Sequence, residues 1–138
     1  MDTQDHTWIV VADGGKARVF EERERHGDLK ELPAWREAHG GEDLSHAHRH
    51  AAHSGAGTPK QAAEAEFLQD LAKAIDAAAR KKAFDKLVLM APPKAMGVLR
   101  DALKTEAATK LELTDPHDRT HEDARTLKEH LHKLRMPA

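Results

Sequence analysis

Two short runs of the chain are apolar at every position, Trp8-Ile-Val-Val-Ala12 and Leu87-Val-Leu-Met90. Runs without alternation, rich in β-branched residues, suit strands covered on both faces. Asp13-Gly14-Gly15-Lys16 interrupts the first with a turn, because glycine takes positive φ without penalty. Ala17 to Glu22 then alternates, with Val19 set against Arg18 and Phe20, and completes a hairpin. A polar turn from Glu24 to Asp28, containing Gly27, leads to a third strand from Leu29 to about Glu37. Pro33 cannot donate to a ladder, which puts this strand at a sheet edge.

Helical spacing takes over at Thr58-Pro59-Lys60-Gln61. Thr at the N-cap, Pro at the first helical position and Gln three residues on form a capping box, and the helix should run to about Lys82. Phe67, Leu68, Leu71, Ile75 and Ala78 make its apolar stripe, with Glu64, Gln69, Lys73 and Asp76 towards water. Lys86 to Met90 is the next strand, ended by Ala91-Pro92-Pro93. Lys94 to about Lys104 is a helix with Met96, Leu99 and Leu103 inward, and Lys110 to Leu113 is a fifth strand whose Leu111 and Leu113 share one buried face. A last helix, Thr120 to Lys133, presents Ala124, Leu127, Leu131 and Leu134.

The order is therefore β-β-β-α-β-α-β-α, an α/β chain expected to form one domain over residues 1–138. Right-handed crossovers place the fourth strand parallel to the first and the fifth parallel to the fourth. The simplest result is a mixed five-stranded sheet in the order 3-2-1-4-5, ribonuclease-H-like, with three helices.

One stretch does not fit this periodicity. From His39 to Thr58 there are glycines and histidines and, apart from Leu44, no large apolar residue. A connection of that length inside a compact domain is expected to be functional or flexible. Composition narrows the chemistry further. There is no Cys, hence no disulfide, thiolate nucleophile or Cys-based zinc site. Net charge is −2 with 24 acidic and 22 basic residues, which is not the footprint of a general DNA binder. Aromatics are 4% with no Tyr, too few for a base-stacking platform. The polar start and the lack of any long apolar run point to a cytoplasmic protein that makes no membrane contact.

Several constellations could carry chemistry. His46, His48 and His50 lie on one side of an extended segment, and His46, His50 and His53 on one side of a helix. Either set, with His39 upstream, could gather imidazoles around Zn²⁺, Ni²⁺ or Cu²⁺. No cofactor is otherwise implied. Asp13, Gly14, Gly15 and Lys16, helped by Arg18, could cradle an anion, although an ordinary hairpin turn with local Asp hydrogen bonds uses the same residues. Lys94 and Arg100, following Pro92-Pro93 at a helix start, form a second anion or RNA contact candidate. A two-metal nuclease would require convergent carboxylates, for which Asp13, Glu64 and Asp85 are the candidates.

Trp8 to Phe20 (Ala-Asp-Gly…Ala-Arg), Leu87 to Arg100 (Ala-Pro-Pro…Gly-x-Leu-Arg) and the closing helix together resemble the bacterial family labelled "protein required for attachment to host cells". That family is in turn similar to the middle domain of archaeal and eukaryotic release factors. There the loop between the third strand and the following helix carries Gly-Gly-Gln, which enters the ribosomal peptidyl-transferase centre. The corresponding place here holds Gly40-Gly41-Glu42, with Glu in place of Gln. The resemblance implies a non-enzymatic module, associated with ribosomes or RNA, whose effect on attachment is indirect. The alternative from the residues alone is a metal-binding protein or metal-dependent hydrolase built on the His-rich loop.

Overall fold

A computed structural model describes residues 6–39 and 58–136. The strands are β1 (Thr7–Ala12), β2 (Ala17–Glu22), β3 (Leu29–Glu31), β4 (Lys86–Met90) and β5 (Leu111–Asp115). The helices are α1 (Pro33–Ala38), α2 (Pro59–Arg80), α3 (Pro93–Ala102), α4 (Thr105–Ala108) and α5 (Ala124–Arg135). The sheet order is β3-β2-β1-β4-β5. β2 runs antiparallel to β1 and β3, whereas β1, β4 and β5 are parallel. This is the mixed sheet, in the order, that the sequence implies.

Alternation along the central strands splits the core in two. Trp8, Val10, Ala12, Val19, Leu87 and Leu89 meet Leu68, Leu71 and Ile75 of α2 and Met96 and Leu99 of α3 on one face. Ile9, Val11, Phe20, Val88 and Met90 meet Leu127 and Leu131 of α5 on the other. Both faces of β1 and β4 are thus covered, which is why their sequences show no polar alternation.

Four local expectations are corrected. The third strand stops at Glu31, and Pro33 opens α1 rather than lying in an edge strand. Proline's fixed φ is as well suited to the first helical position as to a sheet edge, and Ala34 to Ala38 are adequate helix formers. Trp35 of α1 then packs edge-on against Trp8, with centroids 5.5 Å apart. Leu111 and Leu113 do not share a face. Leu87 pairs with Leu111 but Val88 pairs with Leu113, so Glu112 is an extra bulge residue. Leu111 packs on the α2 side and Leu113 on the α5 side. Asp76 is buried, and its carboxylate accepts from the Lys104 amide at 3.0 and 3.1 Å. The last helix starts at Ala124, capped by Asp123 accepting from the Thr126 amide, rather than at Thr120.

The two ends of α2 differ in quality. Its start is the expected capping box, with reciprocal Thr58 and Gln61 hydrogen bonds of 3.0 and 3.2 Å. At its end Ala83 N–H donates to Ala78 C=O and Lys82 N–H to Ala79 C=O. This termination demands a left-handed residue, usually glycine, and Lys82 occupies it at φ 61°. A side chain there costs about 1 kcal/mol.

Candidate functional site

A cleft of about 570 Å³ opens at the carboxyl ends of β1 and β4, where open α/β sheets place their ligands. The β1–β2 turn, the first turns of α2 and the first turn of α3 form its walls. It brings together Asp13, Gly14, Gly15, Lys16 and Lys94 from the anion candidates, and Glu64 from the carboxylate candidates.

The turn is closed by its own aspartate. Asp13 Oδ1 accepts from the Gly15 and Lys16 amides at 2.8 Å each, and Asp13 N–H donates to Lys16 C=O at 3.0 Å. Those two amides therefore face a carboxylate and cannot also cradle an external anion. Gly14 lies directly under α2. A Cβ there would stand 2.7 Å from Glu64 Cδ and 2.8 Å from Oε2, so the absence of a side chain lets the helix approach.

Across the cleft, α3 begins at Pro92 and Pro93 with no side-chain cap. Prolines have no N–H, so the first amides at this helix end are those of Lys94 and Ala95. Lys94 lines the cleft together with Glu64 and Asp13, so both signs of charge border it. No Ser, Thr, Cys or His lines the cleft among the described residues. Its described lining instead offers backbone amides, a carboxylate pair and the lysines Lys16 and Lys94.

Other predicted residues are placed elsewhere. Arg18 stands on the α5 side, bidentate to Glu31 at 3.1 and 3.0 Å, donating to the carbonyls of Thr120 and Glu122 and lying over Phe20. It pins the β5–α5 connection and is not an anion ligand of the turn. Arg100 is in the last turn of α3, roughly 9 Å along the helix from Lys94. Asp85 precedes β4, at the opposite end of the sheet from Asp13, and accepts from the His6 amide at 3.2 Å. Asp13, Glu64 and Asp85 thus do not converge, which removes the two-metal arrangement. Gly40, Gly41, Glu42, His46, His48, His50 and His53 lie outside the described residues. No group of three His, Cys, Asp or Glu suited to a metal ion occurs among the described residues. His39 stacks on Trp35 with centroids 5.6 Å apart, and its carbonyl accepts from the Ala17 amide at 2.6 Å. Burial pushes its imidazole below the usual histidine range, against a smaller pull from Asp70.

One cluster has no counterpart in the sequence reading. At the end of β5, buried Asp115 accepts from His117 Nδ1 at 2.6 Å and from the Arg119 guanidinium on its other oxygen. Arg119 continues to Glu122 and His130. Burial alone would raise the Asp115 carboxyl, but hydrogen bonds from Arg119 and His117 outweigh it and hold it below the usual range. Next along the chain, His121 Nε2 lies 3.4 Å from Lys16 Nζ and joins this connection to the cleft turn. The only signal in the sequence is a density of polar residues after a strand, Asp115-Pro-His-Asp-Arg-Thr-His121, without a spacing that names partners.

The family described as "protein required for attachment to host cells" has a model that matches residues 8–131. The chain belongs to this family. The host-attachment match takes in all five strands but for the first residue of β1, together with the cleft and the Asp115 cluster. No curated protein sequence matches the chain. No helix among the described residues is long and apolar enough to cross a membrane.

Proposed function

We propose that this member of the host-attachment family is a release-factor-like module that engages ribosomes or RNA without catalysing a reaction, and that it influences attachment indirectly. The observation that carries the reading is where the segment with Gly40-Gly41-Glu42 leaves and rejoins the fold. It departs after His39, tied to the first residue of β2, and returns at Thr58, which caps α2 six residues before the cleft-lining Glu64. Both ends lie at the carboxyl edge of the sheet, after β3 and the short α1 and before the long helix. The Gly-Gly-Gln loop of the release-factor middle domains likewise comes between the third strand and the following helix. Glu42 in place of Gln favours contact without peptidyl-tRNA hydrolysis.

The test is co-sedimentation with purified ribosomes across a salt series. The full chain should pellet with ribosomes at low salt, and deletion of residues 40–57 should reduce the bound fraction. A chain that stays in the supernatant at every ionic strength would refute the proposal.

A further inference from the structure

Carboxylates pair some of the cations among the described residues and leave others unpaired. On the α5 side four arginines are paired: Arg18 with Glu31, Arg25 and Arg135 with Glu112, Arg119 with Asp115. At the amino ends of β4 and β5 and the adjoining ends of α2 and α4, another set has no carboxylate partner among the described residues. It comprises Arg80, Lys81, Lys82, Lys86, Lys104 and Lys110.

Backbone contacts hold this set in one patch. The Asp85 and Lys86 amides both donate to His6 C=O, and the Leu87 amide donates to Lys110 C=O at 2.8 Å. The Lys104 amide is bound by Asp76, one helical turn before Arg80. Exposed carboxylates in the neighbourhood are Asp85, Asp101 and Glu106, with Arg100 as a further cation, so the edge is clearly positive on a chain of net charge −2. Asp85 is already engaged by the His6 amide.

Fold stability accounts for only part of this distribution. Cations in the last turn of α2 complement its dipole, which explains Arg80 and Lys81. Lys82 holds a left-handed position that glycine would fill better. Lys104 stands at the N-terminal end of α4, where a positive charge is disfavoured. Arg80 and Lys81 thus suit the helix they end, whereas the Lys82 backbone and the Lys104 charge run against local preference.

We infer that this lysine-rich edge binds the sugar–phosphate backbone of RNA. Phe84, its nearest aromatic residue, is buried, and the exposed large apolar residue among those described is Met136, beyond α5. The edge therefore has neither a base-stacking platform nor an apolar anchor for a bilayer, and ammonium groups contacting phosphates remain. The choice of RNA over DNA rests on the ribosome-associated reading.

The experiment is fluorescence anisotropy of the full chain with a short RNA duplex, the matching DNA duplex and anionic lipid vesicles, at several salt concentrations. RNA affinity should fall with salt with a log–log slope of about −3 to −5, as expected for a handful of phosphate contacts. The combined Lys81→Glu, Lys82→Glu and Lys110→Glu variant should bind about a hundredfold more weakly with a shallower slope. A charge-matched variant elsewhere, Lys30→Glu with Lys73→Glu and Lys133→Glu, should lose less than about fivefold. Lys82→Gly should raise Tm while weakening RNA binding about fivefold, a pair of signs that misfolding cannot produce.

Absence of RNA binding at low salt, equal losses in the two triple variants, binding to vesicles alone, or equal affinity for DNA would each overturn the inference. Ribosome co-sedimentation that the edge variant leaves intact would overturn it while the functional reading stands. RNA binding through this edge by a chain that never sediments with ribosomes would sustain the inference and remove the ribosome from the functional reading.

Discussion

Gly14 shows how a single position can be decided by a neighbour fifty residues away. In the sequence it belongs to a turn, where glycine suggests backbone freedom. In the fold the constraint is space, since a Cβ at this position would fall on the Glu64 side chain. Gly14→Ala should therefore destabilise the wild type, and less so in a Glu64→Ala background, with a coupling of about 0.5 kcal/mol or more from urea denaturation of the four proteins. Equal costs in both backgrounds would place the requirement in the turn itself. Asp76 carries the same lesson. On a helical wheel it faces water, but the start of α4 needs an acceptor for the Lys104 amide and recruits it. Neither role could be read without knowing which elements pack together.

Among the elements, α5 depends most on a few side chains. Its apolar contribution centres on Leu127 and Leu131, and its last turn is fixed by Arg135. That guanidinium is bidentate to Glu22 at 2.9 and 2.8 Å, with side chains only 6% and 1% exposed, and it also approaches Glu112. Arg135→Ala leaves a buried carboxylate without its cation and should cost about 3–5 kcal/mol in urea denaturation. A loss below 1 kcal/mol would mean that Glu22 finds water or another donor. The elements were legible where periodicity was uninterrupted, as in β1, β4 and the start of α2. They were misread where one residue changes the count. Pro33 serves a helix start as readily as a strand edge, and Glu112, inserted into β5, turns Leu113 to the face opposite Leu111. The Asp115 cluster escaped notice because its members come from an irregular connection and from α5, with no common period.

For the molecule as a whole, acid should act in two stages. His39 is pushed down by burial, so the unfolded chain takes up its proton first. Its contribution to stability is complete above the ordinary histidine value of about 6.5 and declines as pH falls below it. Glu31, Glu112 and Asp115 are all held below the usual carboxylate range in the native state. Arg18 is the chief cause for Glu31; at Glu112 and Asp115 arginine partners prevail over burial. Their contribution is present above about pH 4 and is lost as pH drops through their lowered native values. A plot of Tm against pH should show a shallow decline followed by a steep one, and His39→Phe should flatten the first. A single transition unaffected by that substitution would contradict the assignment. At this scale the sheet order and the mixed strand directions were open to sequence reasoning, because crossover handedness leaves few alternatives. Charge segregation was not, since a net charge near neutrality conceals where the unpaired lysines lie.

The bulge at Glu112 has a further meaning for how copies of this chain meet in a crowded solution. β5 is an outer strand, and an outer strand with free amides and carbonyls invites edge-to-edge polymerisation. The extra residue kinks and twists that strand, and its carboxylate is held by Arg25 and Arg135. At the opposite border β3 is only three residues long before the chain turns into α1. Each border of the sheet thus has its own safeguard against runaway strand addition, one by distortion and one by brevity.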